Sequence, residues 1–234
     1  MIKFSNHKEK KLLLLQRNEY LTKKQIKIRK NFGRYLFCNF FINYFQDPDL
    51  SKKVSSDLKQ EFDQIKPFLP KKIKTSLDIG CGIGLIDIYL NSFYPSLKNI
   101  YLLDKNQIDK KIVYGFSKNY ESYNDISTTK YFLNNNGIPI EKLKLIDVEK
   151  NFFIAPHSID LCISLVSMGY HYPIENYIDL LRKITKSDTI FIFDIAEEYI
   201  SIKKLKSYFN EIKIINHKSD TKHPRFRVCC KNIK

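Results

Sequence analysis

The sequence predicts an α/β fold, with a mostly parallel sheet, helices on both faces, a C-terminal antiparallel hairpin and an N-terminal helical segment. Three observations carry this reading. Ser76-Leu-Asp-Ile-Gly-Cys-Gly-Ile-Gly84 is a short apolar run entering glycines at alternate positions, and Leu85–Leu90 continues it as the first turns of a helix. From Ile73 onward, apolar runs alternate with helical stretches, the pattern of parallel strands joined by right-handed crossovers. Near the end the hydrophobic period drops to two, the mark of strands with one wet face.

In order, residues 1–30 are Lys-rich and contain no glycine or proline, so they favour helix. Residues 31–48 are rich in aromatic side chains and end at Asp47-Pro48. Leu58, Phe62, Ile65 and Leu69 then recur at helical spacing until Pro67 and Pro70 stop the helix. Residues 1–70 read as two or three helices ahead of a domain spanning 71–234. Strands are expected at 73–79, 99–104, 143–147, 159–165 and 188–194, with helices near 84–92, 106–118, 126–136 and 173–185. Gly137 suits a helix C′ position and Pro173 the first residue of a helix. After a helix near 199–209, residues 211–217 and 225–230 alternate as a hairpin.

The chain of 234 residues is long enough for one substantial core, and its 43% hydrophobic content is ordinary. Its net charge of +15 permits a nucleic-acid partner without favouring one. Nearly all of the excess is Lys, while Arg, the better reader of phosphates and bases, is scarce. A diffuse solvated surface and a polyanion-binding face are the two readings, the first preferred. Cys38, Cys81, Cys162, Cys229 and Cys230 form no C-x-x-C pair. They read as free thiols in a reducing compartment, and no metal site is expected. Leu12–Leu15 is too short for a signal peptide. Asn39 and Asn43 interrupt the aromatic run Tyr35–Phe45, itself shorter than the roughly 20 residues that span a bilayer. A cytoplasmic protein without a membrane span is expected.

The glycine turn carries the chemistry. Glycine tolerates positive φ and lets a ligand approach the backbone, and the following helix offers unpaired N–H groups to a polar or anionic group. Asp104 ends the apolar run Asn99–Asp104 twenty residues past Gly84, where an acid can bind ribose hydroxyls. The third glycine comes one residue earlier than in the dinucleotide motif G-x-G-x-x-G. Asp78-x-Gly80-x-Gly82-x-Gly84 followed by Asp104 resembles the first two motifs of the class I S-adenosylmethionine-dependent methyltransferases. The resemblance runs from about Ile73 to the C-terminus, and the terminal hairpin agrees with it independently. It implies a Rossmann-like seven-stranded sheet, S-adenosylmethionine as cofactor and methyl transfer.

By the same resemblance, Asp78, Gly80, Cys81, Gly82 and Gly84 lie along the methionine part of the cofactor and Asp104 holds its ribose. Asp147 would accept from the adenine amino group, and the N–H of Val148 would meet the ring. Lys105 lies along the ribose or adenine, or is simply exposed. Ser164 and Leu165 open the segment that in this family borders the methyl-bearing sulfur and the acceptor. That segment, Ser164–Pro173, lacks the Asn/Asp-Pro-Pro-Tyr signature of amino-group methylation. Ser167, Tyr170, His171 and Tyr172 stand in its place, hydroxyls around one imidazole.

A hydroxyl acceptor needs a base, and His171 is the candidate, although a loop histidine orienting the next helix is an equal alternative. Asp194 would touch the acceptor, orient His171, or cap the helix that follows. Ser-Met-Gly-Tyr-His-Tyr-Pro, with Phe68-Leu-Pro70, is also similar to bacterial methyltransferases encoded with sugar and surface-polysaccharide genes. The expected activity is therefore O-methylation of a small-molecule or saccharide-linked acceptor. An RNA methyltransferase gripping phosphates through residues 1–30, and a cofactor-binding partner subunit without turnover, are the alternatives. By family habit the N-terminal helices shape the acceptor pocket; read from the residues alone, they are a packing appendage.

Overall fold

The five residues of β1 (Thr75–Ile79) are all buried, as expected of a central strand covered on both faces. In the computed structural model, which describes residues 1–33, 36–41, 48–108, 124–169, 172–198, 200–219 and 224–234, it lies mid-sheet. The other strands are β2 (Asn99–Asp104), β3 (Leu143–Asp147), β4 (Ile159–Ser164), β5 (Thr185–Ala196), β6 (Phe209–Lys218) and β7 (Arg225–Ile233). Their order is β3-β2-β1-β4-β5-β7-β6. The first five run parallel, and β7 inserts antiparallel between β5 and β6. The order reverses direction between β1 and β4, and that switch point opens a crevice at the carboxyl edge.

The helices are α1 (His7–Gln16), α2 (Lys23–Phe32), α3 (Leu50–Ile65), α4 (Leu85–Phe93), α5 (Ile126–Asn135), α6 (Glu175–Ile184) and α7 (Ile202–Tyr208). Helix α2 starts with a capping box: Thr22 accepts from Gln25 N–H and the Gln25 side chain accepts from Thr22 N–H. One face of the sheet packs Leu102, Ile163 and Ile192 against Leu13, Leu58, Leu90 and Phe132 from α1, α3, α4 and α5. The other packs Leu77, Cys162, Phe191 and Phe193 against Ile178 and Leu181 of α6 and Leu205 of α7. Helices from the first 70 residues thus share one apolar cluster with the sheet.

Several expectations shift. Gly137, at φ 90°, does follow the end of α5. Pro173 does not open α6: the helix begins at Glu175, and the Pro173 carbonyl accepts a turn bond from Asn176 N–H. Strand β5 starts at Thr185, ahead of the expected 188, because Thr185 pairs with Ile159 before a bulge re-registers Leu161 with Ile190. Thr189 makes that bulge tolerable by donating to the Ile159 carbonyl and accepting from Lys186 N–H. The helix expected at 106–118 falls mostly outside the described residues. No helix among the described residues is long and apolar enough to cross a membrane.

Candidate functional site

At the end of β1 the chain turns through Gly80 (φ 68°) and Gly82 (φ 55°), a region closed to most side chains. Both positions call for glycine by φ, and at Gly80 space requires it as well. A Cβ on Gly80 would stand 1.7 Å from Ser167 Oγ, and one on Gly82 would stand 2.6 Å from Gln16 Oε1. The turn is tied to β2, where the Leu103 carbonyl accepts from Gly80 N–H at 2.7 Å. Gln16, the last residue of α1, accepts from Ile83 N–H at 3.0 Å. An N-terminal side chain therefore supplies an acceptor to the same loop that an anionic ligand group would address. Burial, with Asp104 and Asp78 next to it, pushes the Cys81 thiol well up, so it stays protonated.

Asp104 sits at the tip of β2 and receives the turn. Its Oδ2 accepts from Gly82 N–H at 2.7 Å and from Asn124 Nδ2 at 3.0 Å; its Oδ1 accepts from Lys105 N–H at 2.7 Å. A carboxylate offers about four lone-pair positions, which leaves one on Oδ1 for a ligand hydroxyl. Burial raises Asp104 to about 6, while Gly82, Lys105 and Asn124 hold it down. Asn124 also donates to the Gly82 carbonyl at 2.9 Å, as does Thr129 Oγ1 at 2.9 Å, clamping the turn from the segment that enters α5.

Beneath the turn, Asp78 and Asp87 are both buried. Burial, then the nearby Asp87 carboxyl, drives Asp78 well above the ordinary aspartate value. Burial likewise takes Asp87 to about 7, against the hydrogen bond to Asp78. Both Asp87 oxygens are sealed from water, without a donor at good geometry among the described residues. Two carboxylates in such a space keep a proton between them.

Beyond β4, Ser164 Oγ donates to the Ile79 carbonyl at 2.7 Å and accepts from Met168 N–H at 2.8 Å, so it braces the loop from inside. Leu165 is half-buried beside it. Val166 adopts φ 60°, an outlier for a β-branched residue, in the segment read as bordering the acceptor. Tyr172 closes the loop, donating its N–H to the Ser167 carbonyl at 3.3 Å and accepting from Gly169 N–H at 2.7 Å. The loop is bonded to the end of β5, where Ala196 N–H donates to the Gly169 carbonyl at 2.9 Å. Tyr170 and His171 lie outside the described residues.

Other expected residues have different neighbours. Val148 N–H donates to the Asp104 carbonyl at 3.0 Å and is thus engaged within the protein. Asp147 lies beside Asp104 in register and accepts from Glu149 N–H at 3.1 Å; Lys105 Nζ pairs with Glu149 at 3.2 Å. Asp194 binds Arg227 through both oxygens, at 2.6 and 2.8 Å. It does not cap the next helix: Ser201 does, accepting from Lys204 N–H. Gln16, Asn124, Thr129 and Asp87 are the site residues that sequence reasoning missed. Asp87 alone left a local signal, a lone acid in the apolar stretch Leu85–Leu90.

No protein-family model matches the sequence, and no curated protein does. Solved structures match it in fold. A Nostoc punctiforme protein provisionally described as an O-methyltransferase has TM-score 0.51 and 12% identity, covering 75% of this chain and 56% of that one. A SAM-dependent methyltransferase from Aquifex aeolicus has TM-score 0.48 and 12% identity, covering 80% of this chain and all (100%) of that one. M. jannaschii TYW2, in complex with AdoMet, has TM-score 0.48 and 17% identity, covering 79% and 77%. With its strand order and inserted antiparallel β7, the chain has the class I methyltransferase fold.

Proposed function

We propose that this chain transfers a methyl group from S-adenosylmethionine to a hydroxyl of a small-molecule or saccharide-linked acceptor. One observation carries the reading: the glycine turn after β1 and the carboxylate ending β2 meet at the carboxyl edge of the sheet, Gly82 N–H on Asp104 Oδ2 at 2.7 Å. The residues present fit such a cofactor. Gly80 and Gly82 carry no side chain, so that Ser167 and Gln16 lie against the turn where the cofactor would pass, Asp104 keeps an acceptor position for a ribose hydroxyl, and Asp78 stands below for an ammonium group. The sulfonium donor would bring an already activated methyl group, so the protein's task is chiefly alignment.

Ser167, Tyr170 and Tyr172 would orient the acceptor, with aromatic faces and hydroxyls suited to a polyol. His171 would take the acceptor proton. The N-terminal helices, through Gln16, would cover the cofactor. Asp147 is proposed to meet the adenine amino group, whereas Val148 N–H would have to exchange its bond to Asp104 to do so.

Titration calorimetry with S-adenosylhomocysteine tests the cofactor assignment. The wild-type protein should release heat, and Asp104→Ala should bind at least ~10-fold more weakly, since a hydrogen bond to a charged group contributes about 1.5–3 kcal/mol. His171→Ala should retain the heat and lose turnover on labelled cofactor with a cell extract. Silence from the wild type would end the proposal.

A further inference from the structure

Between Gly80 and Gly84 the turn has five backbone N–H groups, and each meets an acceptor. Gly80 and Cys81 donate to the Leu103 carbonyl at 2.7 and 3.4 Å, Gly82 to Asp104 Oδ2 at 2.7 Å, and Gly84 to the Cys81 carbonyl at 2.8 Å. These four bonds tie the turn to itself and to the tip of β2, so giving one up would open the turn. The fifth is of another kind. Ile83 N–H donates at 3.0 Å to Gln16 Oε1, a side chain 67 positions earlier, on the last residue of α1. Ser167 presses on Gly80 from the post-β4 loop and takes none of the five protons.

Oε1, Cδ and Nε2 of Gln16 would stand 2.6, 2.9 and 3.1 Å from a Cβ on Gly82, so the whole carboxamide lies against that residue. A carboxamide and a carboxylate share one shape and differ in charge. On a backbone N–H the carboxylate is the better acceptor, because charge-assisted hydrogen bonds are roughly twice as strong as neutral ones. Helix α4, nine residues long, starts just beyond Ile83 and adds its positive dipole end. An arriving carboxylate would therefore take the N–H from a neutral amide. Gln16 is also placed to yield. Leu12–Leu15 are buried, but Gln16, Gly80, Cys81 and Gly82 are partly exposed, and Arg17 leaves the helix extended, at φ −125° and ψ 95°. The side chain can turn about its own bonds while α1 stays packed.

We propose that Gln16 is an autoinhibitory placeholder: its carboxamide holds the Ile83 N–H where the carboxylate of an amino-acid-bearing nucleoside binds, and turns aside when that ligand arrives. That the ligand is S-adenosylmethionine or its product rests on the methyl-transfer reading; the exchange at Ile83 rests on the hydrogen bonds of the turn. Part of the affinity for the ligand's amino-acid end is then set by the bond that Gln16 must release, so shortening this side chain favours that end.

The test compares two ligands by titration calorimetry on the whole protein at neutral pH. S-adenosylhomocysteine carries the amino-acid end; methylthioadenosine has the same nucleoside and sulfur without it. The readout is the ratio of their affinities, which cancels any general change in the nucleoside pocket. Gln16→Ala leaves Ile83 N–H to the ligand and should raise the ratio in favour of S-adenosylhomocysteine at least threefold. Gln16→Glu keeps the shape, puts a charged competitor on the N–H and should lower the ratio at least threefold. The two variants move the ratio in opposite directions, which a general loss of folding cannot do. A smaller change in either variant, or one of the opposite sign, overturns the proposal. If wild type and both variants bind neither ligand, the methyl-transfer reading falls, and the placeholder with it.

Discussion

Asp78 and Asp87 occupy a space too dry for two charges, and their shared proton ties stability to pH. A carboxyl whose folded pKa exceeds its unfolded value takes up a proton on folding. Its contribution is complete below the unfolded value of ~3.9 and is lost as pH rises through the folded one, about 7 for Asp87. Asp87→Asn removes that loss. The variant should gain on wild type by on the order of 2–4 kcal/mol between pH 4 and pH 8, read from urea unfolding at each pH. An unchanged difference across that range would show that the pair is not protonated. At this scale the sequence was informative where side chains act locally. Asp104 and the glycines were legible from their spacing, whereas Asn124 and Thr129 reach the turn from more than forty residues away.

Helix α1 shows what an element's own residues leave open. In its Lys-rich context, Leu12, Leu13, Leu14 and Leu15 are all at most 4% exposed. Four consecutive leucines cover every side of a helix, so periodicity cannot report their burial, and only a partner on each side can. Leu13→Ala should destabilise the fold by about 2–5 kcal/mol, the range for a fully buried leucine. A loss under about 1 kcal/mol in chemical denaturation would mean that α1 is an appendage and that Gln16 is not held on the turn. The helices α3 and α5 were legible because one face is apolar. The early start of β5 was not, since Lys186 and Ser187 fall between the helix expected to end at 185 and the strand expected from 188, and become strand only through the bulge that Thr189 bridges.

Across the whole molecule, the chain closes on itself through Glu61, which joins Arg17 in the first residues to Arg227, 166 positions beyond Glu61 itself. Burial alone would raise Glu61, but the two guanidiniums bring it to about 2. Its stabilisation is therefore present above the ordinary glutamate value and lost as pH falls toward 2. Glu61→Ala takes one of two acid partners from the buried Arg227 and the nearer one from the half-buried Arg17, and should cost about 3–5 kcal/mol at pH 7, with a smaller deficit at pH 3, both measured by urea unfolding. An equal deficit at the two values would refute the ionic account.

By itself the amino-acid order determined the layered class, the glycine turn, the acid at the end of β2 and the closing hairpin, because each depends on a period or a spacing within one short stretch. Tertiary structure alone decided that Gln16 sits on that turn, that Asp78 faces Asp87, and that Asp194 belongs to Arg227. Those pairings are set by which distant segments are pressed together when water is excluded, and neighbouring residues in the chain carry no trace of them.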